Sequence, residues 1–331
     1  MISIARQNTP SEIVIEITGQ CNMHCTYCTQ TGRRLEHLPL TRIKNIIDHA
    51  KDLGVKAIRI TGGEPLLVPH LTDILAYSKK NHLYTLLNTN ATVITKEQAR
   101  IIGQTVNNVL ISLQGYNQAS TQKLTASPGN FEEKINNVFL LKSYVPVLRL
   151  GTVITPALTD NFTRYASLIE KVKPDAWELF RPMTAPKTAQ TIPANTYQKL
   201  ALALLRLHKK RLRAVIGNAI PFCILTSRKT ARLVFAGGRA DDGHTRLIYD
   251  ARGFFKPSYF IHENLGTDLA KAWRHPFLKK LNETAYLPVD CQCCEDLKDC
   301  CGGSRVAANR SAGTYFSHDP AMFKSSEKSL I

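Results

Sequence analysis

The sequence has 331 residues, enough for one large domain or a domain with a smaller appendage. Hydrophobic residues make up 44%, which supports a sizeable core, yet no run approaches the roughly 18–20 apolar residues of a membrane span. The formal net charge is +17, and nine cysteines occur without an export-type apolar stretch at the N-terminus, which points to metal ligation in a reducing cytoplasm rather than to disulfides.

Strand-like apolar runs and helix-like stretches then alternate. The strands are predicted at 12–18, 56–61, 83–88, 107–113, 147–154 and 175–180, and the helices at about 40–53, 70–80, 95–104, 131–143, 161–172 and 195–210. Thr95, followed by Lys96-Glu97-Gln98, gives the third helix a cap-like start. Six βα repeats predict a parallel sheet with helices outside it. Arg149 falls inside the fifth strand, where an inward side chain needs an anionic partner.

The first strand leads into Cys21-Asn-Met-His-Cys25-Thr-Tyr-Cys28. Three thiolates in eight residues suit an iron–sulfur cluster. A four-iron cube held by three cysteines keeps one iron open, as catalytic metal sites do. Spacing alone also allows zinc with His24 as fourth ligand, although His24 and Cys25 are adjacent and would strain a tetrahedral site. A disulfide would leave one cysteine over.

The second strand ends in Thr61-Gly62-Gly63-Glu64-Pro65. By itself this string is a turn, with glycines that permit close backbone approach and a proline that ends the strand. Together the Cys-x3-Cys-x2-Cys spacing, with Tyr27 before its last cysteine, and the Gly-Gly-Glu-Pro string resemble the signatures of the radical S-adenosylmethionine (SAM) enzymes. The resemblance implies a [4Fe-4S] cluster on Cys21, Cys25 and Cys28. It further implies that the open iron binds the amino and carboxylate groups of SAM, and that residues 62–65 hold the methionine amino group. It sharpens the fold to α/β, a partial (β/α)6 TIM-like barrel, with the chemistry at the C-terminal strand ends.

Other strand ends carry polar groups at positions resembling the family's ribose and carboxylate contacts: Asn88 and Asn90 after the third strand, Ser112 and Gln114 after the fourth, Thr152 and Asn161 after the fifth. Family members often have an acidic residue where Gln114 stands. Trp177-Glu178-Leu179-Phe180-Arg181 closes the sixth strand and is expected to face SAM or substrate. No catalytic side chain is assigned.

After residue 210 short apolar runs alternate with turn signals, and a hairpin is predicted around 245–257. Five cysteines then fall within eleven residues: Cys291, Cys293, Cys294, Cys300 and Cys301. The segment resembles the SPASM and twitch extensions of radical SAM enzymes, with Cys223 in Pro221-Phe222-Cys223 at the place of a first auxiliary cysteine. Two cysteines of the fuller pattern are replaced by Ser258 and Ser304. The resemblance therefore implies one auxiliary [4Fe-4S] cluster on Cys291, Cys294 and Cys300, with Cys223 or Cys301 as fourth ligand. A structural zinc knuckle is the alternative. The expected division is 1–210 for the barrel and 211–331 for a small cysteine-rich α+β domain.

The implied function is reductive cleavage of SAM and hydrogen abstraction, directed at a peptide or protein in oxidation or cross-linking. The alternative is a small molecule or nucleotide. The barrel begins near residue 12, which leaves no room in this sequence for a preceding leader-peptide domain. An electron donor such as flavodoxin or ferredoxin is implied. Residues 201–280 hold 16 Lys/Arg against 5 Asp/Glu, which suits an anionic or peptide substrate, nucleic acid being the least favoured such partner. Within that stretch Lys209, Lys210, Arg211 and Arg213 read either as substrate-recognising or as the solvated end of a helix.

Overall fold

A computed structural model describes residues 7–28, 36–127, 129–183 and 192–322. Six βα units form in the order predicted. The strands are β1 (Glu12–Glu16), β2 (Ala57–Thr61), β3 (Tyr84–Thr89), β4 (Asn108–Ser112), β5 (Leu148–Val153) and β6 (Ala176–Phe180). Between and after them lie α1 (Leu40–Asp52), α2 (Leu71–Lys80), α3 (Lys96–Thr105), α4 (Gln118–Thr125), α5 (Phe131–Lys142), α6 (Pro156–Asp160), α7 (Phe162–Val172) and α8 (Ala194–Lys209). Helix starts follow local chemistry. Thr95 and Gln98 form the expected capping box on α3, Asn117 and Ser120 form another on α4, and Asn130 caps α5.

The strands are short and largely apolar, and one face of each packs under the helices. On β1, Ile13 and Ile15 are fully buried in the main core with Ile43 and Ile47 of α1, each such side chain contributing about 1.5–3 kcal/mol. The other face turns polar groups inward. Glu12 pairs with Arg59 at 2.8 Å, and Arg149 finds its anion in Glu178 at 2.5 Å. Burial opposes charge on Glu12, but the Arg59 guanidinium, helped by Arg246, holds its carboxyl down at about 2.

The sheet is larger than six strands. After α8 come β7 (Ala214–Ile216), α9 (Arg228–Val234), β8 (Arg246–Tyr249) and β9 (Phe255–Lys256). The order is β7-β6-β5-β4-β3-β2-β1-β8-β9, open at both ends. β1 to β8 all run parallel to their neighbours, and only β9 is antiparallel. The hairpin expected at 245–257 is β8–β9, but it does not stand apart: Ile13 lies opposite both Ile58 and Leu247. A cut after residue 210 therefore leaves three strands of one sheet on its C-terminal side. Short helices follow, namely α10 (Leu269–Trp273), α11 (Pro276–Asn282), α12 (Val289–Gln292), α13 (Leu297–Cys300) and α14 (Arg305–Ala312). Among the described residues no helix is long and apolar enough to cross a membrane.

Candidate active site

The C-terminal ends of β1 to β4 surround a cavity of about 190 Å3. Cys21, Cys25 and Cys28 line it, together with Tyr27, Gly62, Gly63, Asn88, Asn90, Ser112 and Gln114. The two sequence motifs are joined by backbone. Gly63 N donates to Thr18 O at 2.8 Å, and Glu64 N donates to Gln20 O at 2.7 Å. A Cβ on Gly63 would sit 1.9 Å from Gln20 O, and one on Gly62 (φ +143°) would sit 2.4 Å from Thr18 O. Only glycine allows this turn to lie against the cysteine loop. The loop's far side is pinned to the end of α4, where His24 N and Thr26 N donate to Thr125 O and Leu124 O.

Glu64 and Pro65 lie behind the cavity wall. Glu64 is fully buried and accepts from Leu66 N, Thr89 Oγ1 and Asn90 N, the last two at 2.6 Å. Burial pushes its carboxyl above the usual range, against these donors. Its work is to tie the glycine turn to the end of β3. Asn90 donates to Asn22 Oδ1 at 2.9 Å and approaches Cys21 Sγ at 3.9 Å. Burial raises the Cys25 thiol, which hydrogen-bonds the Tyr27 hydroxyl. Gln114 clamps β4 to β5 by donating to Gly151 O and accepting from Val153 N.

Three expected contacts lie elsewhere. Thr152 is buried on the helix side of β5, donating to Leu113 O and accepting from Trp177 Nε1 at 2.9 Å. Asn161 joins α6 to α7 and accepts from the Tyr116 hydroxyl. Neither lines the cavity. The sixth strand end does not face it either. Trp177 stacks on Phe162, Glu178 holds Arg149, and Arg181 pairs with buried Asp319 at 2.6 Å.

Among the lining residues not anticipated, one is charged. Lys134, on α5, is 2% exposed and borders the same cavity. Burial lowers its ammonium to about 8, although Cys25, Glu64 and Cys21 favour the charge. Its spacing holds a signal: 134, 138 and 141 share the buried face of α5.

A second cavity, of about 590 Å3, is lined by Cys223, Cys291, Cys294 and Cys300. Burial, then Cys300, Cys223 and Cys294, pushes the Cys291 thiol up to about 12. Burial likewise raises Cys300 to about 11, against the Phe222 N–H that reaches its Sγ at 3.4 Å. Cys301 is not part of this set. It ends α13 in the left-handed region (φ 54°), its thiol directed to Lys298 O. Cys293 is exposed and also lies outside. The two serines that replace pattern cysteines serve the backbone. Ser304 Oγ caps α14, and Ser258 Oγ accepts from Phe260 N and Ile261 N.

Both donor sets suit iron–sulfur clusters. None of the nine cysteines is disulfide-bonded. The first cavity offers three soft ligands, and among the described residues no His, Asp or Glu lines it; His24 is exposed outside. Among the described residues no three His, Cys, Asp or Glu converge as a single ion would require. The second cavity offers four thiols, and a bound cationic core would reverse the raised proton affinity of Cys291 and Cys300.

Comparison with known proteins agrees. Residues 15–169 match the radical SAM superfamily. An AdoMet-dependent heme synthase from Nitratidesulfovibrio vulgaris is 24% identical over 93% of this chain and 90% of its own. SuiB from Streptococcus suis, solved with S-adenosylmethionine, superposes with a TM-score of 0.77 at 19% identity, over 96% of this chain and 78% of its own; it has also been solved with its precursor peptide SuiA. anSMEcpe with bound AdoMet gives a TM-score of 0.71 at 14% identity, over 92% and 93% of the two chains. Residues 15–169 thus form a radical SAM domain, of a family that uses SAM and a [4Fe-4S] cluster, and the cysteine-rich C-terminal part shares its fold with SuiB and anSMEcpe.

Proposed function

We propose that the chain is a radical SAM oxidase of peptides, with one cluster for SAM at Cys21, Cys25 and Cys28 and one auxiliary cluster at Cys223, Cys291, Cys294 and Cys300. The observation that carries this reading is the pair of thiol cavities, one three-sided and one four-sided. When bound, the first cluster and SAM supply a 5′-deoxyadenosyl radical that takes a hydrogen atom from the substrate. The residues of the chain position and enclose. Gly62 and Gly63 present bare backbone beside the thiols, Asn88, Asn90 and Ser112 offer polar contacts to SAM, and Gln114 keeps the β4–β5 wall rigid. Four protein ligands leave no open iron at the second site, so it suits removal of the remaining electron from the substrate, which makes the net outcome an oxidation.

Peptide substrates are supported by the shared fold with SuiB and anSMEcpe, both solved with peptides. A second reading, a small molecule such as a tetrapyrrole precursor of heme, is favoured by the near full-length similarity to the heme synthase. The barrel of residues 1–210 would make the radical, and residues 211–331 would house the auxiliary cluster. A cytoplasmic setting and a flavodoxin- or ferredoxin-like donor complete the proposal.

The test uses anaerobically reconstituted protein, SAM and dithionite. It should bind about eight irons, four per cluster, and release 5′-deoxyadenosine. Deuterium carried into deoxyadenosine from labelled candidate peptides supports the first reading. Deuterium carried only from labelled tetrapyrrole precursors replaces it with the second. No deoxyadenosine with either overturns both.

A further inference from the structure

Among the described residues Lys134 is the one lysine lining the three-thiol cavity, and burying an ammonium without an anion is expensive. Among the described residues no carboxylate, carbonyl or hydroxyl accepts from its Nζ. Glu64, whose charge favours the ammonium, is held by three other donors. The lysine is not placed there by accident of a surface helix. It lies on the buried face of α5 with Ile135, Val138 and Leu141, and α5 is fixed against the end of β3 by Asn137 Nδ2 donating to Ala91 O at 3.0 Å. The charge is thus fixed at the wall of the cavity, facing the side where Cys21 and Cys25 lie.

Resting on the cluster assignment above, the geometry points to Lys134 as the buried counter-cation of the SAM cluster, a residue that makes that cluster easier to reduce. Three thiolates give the oxidised four-iron core a net negative charge, and reduction adds another. A neighbouring cation in a low-dielectric wall stabilises the more negative state more than the less negative one. The step is a single electron from a low-potential donor to the cluster. No bond is made or broken, and the ammonium keeps its protons. Lys134 is a positioning charge and does not react.

The experiment compares wild type, Lys134→Met, Lys134→Gln and Lys134→Arg as full-length, anaerobically reconstituted holoenzymes. The reduced cluster is followed by EPR during a dithionite-poised redox titration without SAM. The signal that changes when SAM is added identifies the N-terminal cluster and separates it from the auxiliary one. In the Met and Gln variants the ratio of reduced to oxidised cluster at fixed potential should fall about tenfold, which is about 59 mV for one electron, and Arg should restore most of it. The auxiliary signal should not move. An unchanged potential with weakened SAM binding overturns the inference and makes Lys134 a ligand of the SAM carboxylate. Should the neutral variants fail to assemble the cluster, Arg assembling it at the wild-type potential upholds a required positive charge, and Arg failing equally makes the role purely structural. Absence of any SAM-responsive cluster in wild type would instead defeat the cluster assignment itself.

Discussion

The two thiol cavities are built on different principles. The N-terminal one is small, framed by strand ends, and closed on one side by glycine backbone lying within contact distance of the cysteine loop. The C-terminal one has about three times the volume and draws its thiols from two short helices, the link between them and a distant turn, Phe222–Ile224. Three thiols on the loop that leaves β1 would leave room for a reactant at a bound cluster. Four ligands on loops that converge from remote parts of the chain close it. Under the proposed function, the difference separates a site that must exchange its occupant at each turnover from one that must only retain it.

The sharpest way to break this comparison is to empty the first site alone. Changing Cys21, Cys25 and Cys28 together to Ala should reduce deoxyadenosine to background, at least about 100-fold, a loss at the upper end of what disturbing a metal site produces. Iron should fall from about eight to about four per chain, and chemical analysis with Mössbauer spectroscopy checks it. Persistent cleavage would move the SAM site elsewhere.

A smaller effect separates the ligands of the second site. Cys223→Ser should lower the auxiliary-cluster signal by more than about half, because it removes one of four ligands. Cys301→Ala should leave that signal intact and cost only about 1–2 kcal/mol of stability, as loss of a buried side chain. Iron content and thermal unfolding read both. The opposite pattern would assign Cys301 as the fourth ligand.

The smallest effect is expected at Lys209, Lys210, Arg211 and Arg213. They immediately precede β7 and so lie at the N-terminal edge of the sheet, opposite both the glycine turn and the strand ends that frame the first cavity. Lys210 already pairs with Glu170 on the surface. Neutralising the four should change the KM for substrate less than about twofold at any salt concentration, as befits exposed charges. A salt-dependent rise in KM would restore the reading of this run as a recognition patch.

The six βα units were legible because each combines an apolar run with a periodic helix, some of them capped as α3 is. Thr95, Gly62 and Gly63 announce their roles in the sequence because their chemistry is local. β7 was not legible, and β8 was legible only as one arm of a hairpin, not as a neighbour of β1. They are three and four residues long, and β8 gains its place only by pairing with β1 across more than two hundred residues of chain. Tertiary pairing of that kind leaves no periodic trace. Thr152 and Asn161 were misplaced for a related reason. Polarity near a strand end does not reveal which face the side chain takes, and the alternation of β5 sends Thr152 to the helices while Arg149 and Gly151 face inward. Lys134 went unnoticed because a lysine in a helix with Glu132, Glu133 and Asn136 reads as solvent-facing.

The position of β1 between β2 and β8 bears on how the chain is made. A ribosome releases the cysteine loop early but does not complete the neighbour that covers its strand until residue 249. At about 5–20 residues per second, roughly 10–40 s separate the completion of β2 from that of β8. Throughout that interval the strand carrying the cluster ligands is an open parallel edge. Metal delivered during it would meet an unfinished cradle, so delivery after release, or a chaperone that shields the edge until then, fits the order of synthesis.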